Sequence, residues 1–507
     1  MSLVAGVDSS TQSCKLVILD SGSGALVREG RAGHPEGTEI HPDLWWHALA
    51  AAIDDAGGLA DVKALSVGGQ QHGMVLLDVE GNVVRPALLW NDTRSAGAAA
   101  DLAAEVGAGE YARRTGLVPV ASFTVTKIRW VRDHEPESGS RVAAVVLPHD
   151  WLTWRLRGYG PAGSSALGPN LEELTTDRSD ASGTGYWSPA LGTYDFDLFR
   201  LAFGRKARQA MPGQSAEATP DTVILPRVLG PSDSAGHIHP DCFSASTFNS
   251  DRSPHVDLGN EIILGAGAGD NAAAALGLGV QPGDVVLSVG TSGTVFAVDA
   301  TPGQDASGTV SCFADASGGY LPIAVTLNAA RVLSSIAAVL DVDFDGLSEL
   351  ALKAEPGSGG VVLVPYLEGE RTPNLPHAKA SFHGLSISSM TRSNMARASI
   401  EGMLCGLAGG LDALRALGGP ARRLLMIGGA VQNPAVQHIA AQVFDLPVVV
   451  PSQGEYVARG AAVQAAWVLA GSRPDWPVPV DAAPEPDYRG IISRNYKRAS
   501  AQNDTGS

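Results

Sequence analysis

The sequence predicts an α/β protein of two large domains, each a mixed sheet flanked by helices, and three observations carry that prediction. The chain has 507 residues, well past the ~250–300 at which one hydrophobic core stops growing. Short β-rich runs follow one another before the first helical stretch, an order that the strand–helix alternation of a doubly wound sheet does not produce. The same order then returns in the second half, so the two halves read as a coarse internal repeat.

In the first half the β-rich runs are LVAGV (3–7), KLVILD (15–20) and ALVREG (25–30), close enough together for a meander. DLWWHALAAAIDDAG then sets Leu44, His47/Ala48 and Ala51/Ala52 at helical spacing. A strand KALSVGG (63–69) and a hairpin MVLLDVEGNVVRPALLW (74–90) follow, the latter turning at Glu80-Gly81-Asn82. In the second half DVVLSVG (284–290) and GTVFAVD (293–299) form a hairpin around GTSGT. Helical stretches near 327–340 and 345–354, a strand GVVLVP and a long helix from about Thr391 come next. The strand RRLLMIGG, a helix from Asn433, the strand PVVVP and a helix at 455–470 complete the unit. Residues 210–258 are rich in Pro, Ser and Asp and read as loop. The boundaries predicted are 1–282, 283–485 and a polar tail 486–507 whose last eight or so residues are expected to be mobile.

Composition narrows the function. With 44% hydrophobic and 18% charged residues the chain is globular rather than disordered. A net charge of −17 argues against nucleic acid or an anionic membrane as partner. Phosphate ligands stay open, because backbone amides bind them locally. Cys14, Cys242, Cys312 and Cys405 are scattered, which indicates neither a zinc site nor a disulfide framework. No signal peptide and no uninterrupted apolar span is visible, so a cytoplasmic protein is expected.

Three glycine- and hydroxyl-rich turns stand out. GVDSSTQS (6–13) reverses the chain between two strands and can aim backbone amides and the Ser9, Ser10, Thr11 and Ser13 hydroxyls into one concavity. Asp8 at its lip suits a divalent cation bridging to phosphate better than a bare anion, although a plain polar turn would look the same. SVGTSGT (288–294) has equivalent chemistry in the second half, with Gly290, Thr291, Ser292, Gly293 and Thr294. In MIGGAVQNP (426–434) the flat backbone of Gly428 and Gly429 could lie against a nucleoside, or serve only as a tight turn. There is no GxxxxGK[ST], and GAGAGD has GxGxG rather than GxGxxG spacing, so neither a P-loop nor a dinucleotide fold is indicated.

LGAGAGDNAAAALGLG (264–279) puts a lone carboxylate, Asp270, where a strand gives way to an alanine-rich helix. Capping that helix is one role. Taking a proton is the other, open to an aspartate that is ionised at its ordinary pKa of ~3.9. Capping does not explain Gly265, Gly267 and Gly269, which are expected to leave room for ligands, and the catalytic role is favoured.

Taken in this order and at these distances, the motifs resemble the FGGY carbohydrate kinases, within the sugar kinase, Hsp70 and actin superfamily. The likeness runs from GVDSSTQSCKLVILD to EYVARGAAVQAAW, and GGQQHG (68–73), LLWNDTR (88–94), GAGAGDNAAAALG (265–277) and LSVGTSGTV (287–295) draw it toward the xylulokinase branch. The resemblance implies two actin-like (ribonuclease H-like) domains with the active site in the cleft between them. It implies ATP and Mg²⁺ as cofactors, a small ketose such as D-xylulose as substrate, and suggests a homodimer. One phosphate loop would comprise Asp8, Ser10, Thr11, Gln12 and Ser13 with Lys15 beyond, the other Gly290 to Thr294. The adenosine loop would be Gly428, Gly429 and Ala430 with Asn433. Sugar contacts would be Gln71, His72, Trp90, Asn91, Asp92, Asp270 and Asn271, with Asp270 as proton acceptor and Asp8 and Asp270 facing the metal. A hydroxyl-rich sugar with one apolar face wants amide, imidazole, carboxylate and aromatic groups of this kind. His72 could instead be a hydrogen-bonded core histidine, Trp90 ordinary core packing, and Arg94 a partner that orients Asp92. Two residues depart from the branch: Gln71 stands where methionine is common, and Ser10 takes a usual glycine position, which threatens the turn's backbone geometry. Another pentulose or a polyol remains an alternative substrate, and a protein-binding actin-like or chaperone-like ATPase an alternative class.

Overall fold

The structure is a computed structural model that describes residues 2–213, 221–244, 258 and 261–503. Much of the predicted loop segment 210–258 and the final residues of the tail lie outside the described residues. The chain forms two compact units, residues 1–279 with 313–320 and 455–477, and residues 280–312 with 321–454 and 478–507. By contacts, 313–320 and 455–477 group with the first unit rather than with the second half of the chain.

The first unit is built on a sheet in which Leu3–Ser9, Ser13–Asp20 and Leu26–Gly33 form the predicted antiparallel meander. Val62–Gly69 joins it parallel to Leu3–Ser9, and Ile263–Gly265 and Ala268–Gly269 pair parallel to Val62–Gly69. Leu3–Ser9 is buried along its whole length, as a central strand covered on both faces must be. The helix Asp43–Asp55 lays Trp45, Trp46, Leu49 and Ile53 into this core, where Trp46 stacks on Phe243 at 4.5 Å. A four-stranded sheet of Lys206–Gln209, Thr222–Leu225, Ala144–Val146 and Val75–Leu77 stands apart from it in the same unit.

The helix Tyr456–Ala470, expected in the second domain, packs in the first unit. Small residues decide this. A Cβ on Gly6 would lie 1.9 Å from the Ala458 carbonyl, and one on Gly460 would lie 1.8 Å from that of Ala273. Backbone-to-backbone approach of this kind is open only to glycine.

The second unit repeats the sheet order. Asp284–Val289, Gly293–Ala297 and Tyr320–Thr326 run antiparallel, and Arg423–Ile427 and Val448–Pro451 add in parallel on the side of the first strand. The internal repeat is therefore a repeat of topology. The long helix Arg392–Ala416 carries a buried pair, Arg397 Nε to Glu401 at 2.7 Å, and Arg397 also donates to Gln442. The tail differs from expectation too: Gly490–Asn503 is a helix that buries Ile492, Tyr496 and Ala499. Those residues recur at helical spacing, a stripe that the polar composition of the segment hides. Among the described residues no helix is long and apolar enough to cross a membrane.

Candidate active site

Three parallel strands of the first unit end side by side. Register pairs Asp8 with Gly68, Ala268 with Gly68 and Gly269 with Gly69. The residues just beyond, Ser9 and Ser10, Gln70 to His72, and Asp270 with Asn271, therefore share one edge. The carboxyl ends of parallel strands are where open α/β sheets bind ligands.

Asp8 is buried, and its Oδ1 has no hydrogen-bond partner. Burial pushes its carboxyl up to about 6, against the pull of Lys15, whose Nζ lies 3.8 Å away. Lys15 itself is bound to Glu455 at 2.6 Å. In the turn, the Ser10 N–H and hydroxyl both donate to the Ser13 carbonyl, at 3.0 and 2.8 Å. Ser10 does not take positive φ, so the side chain in the glycine position brings no strain. Gln12 is exposed. Two further buried atoms without partners stand at this edge, Ser9 Oγ and Gln70 Nε2.

Asp270 is the first residue of the helix Asp270–Gly277; Gly269 holds the cap position, and no side chain caps the helix. Its Oδ1 accepts from the Asn271 N–H at 2.7 Å and from Asn271 Nδ2 at 2.9 Å. Capping is thus corrected, and so is the ordinary pKa. The carboxyl keeps some solvent contact yet lies deep in protein, and burial, with Asp8 and Asp180 adding, pushes it up to about 7.

The three glycines do not hold space for a ligand. A Cβ on Gly267 would lie 2.2 Å from His149 Cδ2, on Gly269 2.5 Å from Gln71 Nε2, and on Gly265 3.1 Å from Ser66. They let the segment before Asp270 press against side chains beneath it.

Of the expected sugar contacts, Gln71 is buried, its Nε2 3.4 Å from the Ser179 carbonyl and its Oε1 3.3 Å from Asn271 Nδ2. It braces Asn271. His72 has φ +69, its Nδ1 lies 3.0 Å from the Gly183 carbonyl, and its ring meets Phe123 and Phe313. Trp90 is 43% exposed and donates to Thr11 Oγ1 at 3.0 Å, which rules out core packing and joins it to the first turn. Asn91 Nδ2 donates to the Gly37 carbonyl at 3.2 Å. Asp92 is buried; burial pushes it up, but the Arg94 side chain and N–H outweigh this and hold it below the usual range. Arg94 thus orients Asp92, as the sequence allowed.

The second unit holds the remaining predicted residues. Gly290, Thr291 and Ser292 form the turn between paired Val289 and Gly293, with Thr294 opposite Ser288. Gly428, at φ +106, would place a Cβ 2.5 Å from the Val289 carbonyl, so the 428–430 turn runs directly beside this strand. Asn433 caps the helix Pro434–Val443 through Ala435 N–H at 2.9 Å, and its Nδ2 reaches the Phe344 carbonyl.

Residues 3–277 match the N-terminal domain, and residues 285–469 the C-terminal domain, of the FGGY family of carbohydrate kinases. The chain belongs to that family. It is similar to a xylulose kinase of Streptomyces coelicolor, 43% identical over 92% of this chain and 88% of the relative. A second, of Streptomyces rubiginosus, is 41% identical over 93% and 89%. The crystal structure of a xylulose kinase from Bifidobacterium adolescentis aligns at TM-score 0.87 with 44% identity, over 98% of this chain and 99% of that one. A gluconate kinase from Lactobacillus acidophilus aligns at TM-score 0.82 with 21% identity, so the two-domain fold by itself does not choose the sugar.

In this FGGY kinase two buried groups beside the expected sugar contacts were missed by sequence reasoning. Lys127 Nζ donates to the His72 carbonyl at 2.8 Å and to that of Ser122 at 2.5 Å, and burial pulls it down to about 7. His149, under Gly267, sits among three carboxylates. Neither lies in a motif: Lys127 is one cation in a helix of mixed composition, and the partners of His149 are up to 31 residues away.

Proposed function

We propose that this carbohydrate kinase transfers the γ-phosphoryl group of ATP to D-xylulose, giving the 5-phosphate and ADP. The observation that carries the reading is the group of unpartnered buried polar atoms, Asp8 Oδ1, Ser9 Oγ and Gln70 Nε2, on the strand-end edge that also holds Asp270. A buried polar atom without a protein partner calls for a water, an ion or a ligand, and here three such atoms gather at one strand-end edge. The likeness to xylulose kinases at 43% and 41% identity supports D-xylulose as that ligand's partner.

Phosphoryl transfer needs positioning and charge neutralisation more than covalent chemistry. Asp270 takes the proton of the attacking hydroxyl; a carboxyl raised to about 7 is well matched to that work near neutral pH. Asn271, held by Gln71, fixes its rotamer. Trp90 offers the sugar an aromatic face, and Asp92 and His72 supply polar contacts. Asp8 Oδ1 fits a water-clad Mg²⁺ entering with ATP, which would neutralise charge on the transferring phosphate. In the second unit, the turns at Gly290 to Thr294 and Gly428 to Ala430 are the candidates for nucleotide contact. Four free cysteines suit a reducing cytoplasm.

A coupled ADP-release assay over pentuloses, hexuloses and polyols tests this. D-xylulose should give the highest kcat/KM. Preference for another sugar would overturn the substrate, and ADP release indifferent to every sugar would overturn the acceptor class.

A further inference from the structure

His149 lies at the start of the helix Pro148–Leu156 and is fully buried. Its Nδ1 is 2.8 Å from Asp180 Oδ2; its Nε2 is 3.4 Å from Asp150 Oδ1 and 3.8 Å from Asp177 Oδ1. All three carboxylates are at most 2% exposed. Two of them also hold backbone: Asp150 accepts from Leu147 N–H, and Asp177 accepts from Ser179 and Asp180 N–H. Tyr186 and Tyr194 stand next to the cluster, and burial pushes both phenols up, so they add no charge.

Only Nδ1 is hydrogen-bonded, to Asp180; Nε2 and Asp150 Oδ1, 3.4 Å apart, make no hydrogen bond, so a neutral imidazole would leave three buried carboxylates without a facing cation. An imidazolium presents an N–H to each side and is the one cation facing these carboxylates among the described residues. The ring also underlies the active-site segments. Gly267 closes on His149 Cδ2 as described, and a Cβ on Gly69 would lie 3.0 Å from His149 Cβ. Ser179, between Asp177 and Asp180, accepts from the Gly269 N–H at 3.0 Å and takes the Gln71 amide on its carbonyl.

We propose that His149 is a buried imidazolium that acts as a positioning residue, holding the 265–269 and 68–71 segments against the Asp177–Asp180 turn, and that loss of its proton sets the alkaline limit of turnover. Burial pulls the imidazole down, but Asp150, Asp180 and Asp177 outweigh it and raise it to about 9. With a folded-state value above the unfolded ~6.5, this stabilisation is lost as pH rises through about 9; on the acid side it fades as Asp150 and Asp177, pushed up by burial to about 7 and about 6, take up protons. The effect on turnover rests on Asp270 as proton acceptor; the charge state of His149 does not.

The experiment combines histidine NMR on the isotope-labelled full chain with kinetics of two variants. The His149 ring should be doubly protonated at neutral pH and lose its proton on the alkaline side, together with kcat. His149→Gln, neutral and unable to donate to both sides, should lower kcat on the order of tenfold or more with small changes in sugar and ATP KM, as misplacement does. His149→Lys keeps a cation and should restore most of kcat while moving the alkaline limb upward. A neutral ring at pH 7, an unchanged kcat and pH profile in His149→Gln, or a stoichiometric metal on the purified protein would each overturn the proposal. The metal arm is needed because His149, Asp150 and Asp180 offer atoms within 4.8 Å of one another. Should His149→Gln not fold, the NMR titration and His149→Lys still decide.

Discussion

Asp270→Asn keeps the size and much of the hydrogen bonding of the side chain, and removes its charge and its capacity to take a proton. As proton acceptor, its loss should lower kcat by roughly 10²–10⁴-fold. Stability should move the other way. The carboxyl is raised from 3.8 to about 7, so the ionised form is disfavoured in the folded state. At 1.36 kcal/mol per unit that is at most about 4 kcal/mol. The carboxyl retains some solvent contact, and its charge at a helix N-terminus contributes ~0.3–1 kcal/mol the other way, leaving a net of about 1–3 kcal/mol. The sign follows from linkage. With a folded value above the unfolded one, wild type loses stability as pH rises from 3.8 to about 7. Asparagine does not titrate, so the variant should melt a few degrees higher near pH 8, the gap narrowing toward pH 5. Sugar-dependent ADP release and melting curves over this pH range check both halves. Near-normal turnover in a folded variant would refute the catalytic assignment, and a lower melting point at pH 8 would refute the burial argument.

Three further outcomes follow from named contacts. Asp8→Asn removes the buried carboxylate whose Oδ1 is unpartnered, and should raise the Mg²⁺ needed for half-maximal activity on the order of 10–100-fold while the sugar KM changes little; an unchanged Mg²⁺ dependence removes Asp8 from the phosphate site. Gly267→Ala forces a Cβ to within 2.2 Å of His149 at φ +87, and overpacking with left-handed strain should destabilise the fold by about 2–5 kcal/mol in denaturant unfolding; wild-type stability would mean that the segment yields. Gln71→Met frees Asn271 and should lower kcat/KM by a similar factor for every sugar tested, whereas a changed order of preference would return Gln71 to direct sugar contact.

The sequence by itself determined the two-unit α/β plan, because strand and helix periodicity and glycine-marked turns are local signals. It also singled out the three glycine- and hydroxyl-rich turns and the stretches 68–73, 88–94 and 264–271, each contiguous in the chain. Tertiary structure alone decided what those residues do to one another. Gly265, Gly267 and Gly269 looked like space for a substrate, but their hydrogens face Ser66, His149 and Gln71, none near them in sequence. Asp270 looked ordinary, but its ionisation depends on burial and on Asp8 and Asp180, which only folding brings close. The helix Tyr456–Ala470 changed unit because Gly6, Gly277 and Gly460 admit backbone contact that no periodicity reveals. His149 and Lys127 escaped notice because a single buried cation carries no pattern; its meaning lies in carboxylates and carbonyls that distant parts of the chain deliver to it.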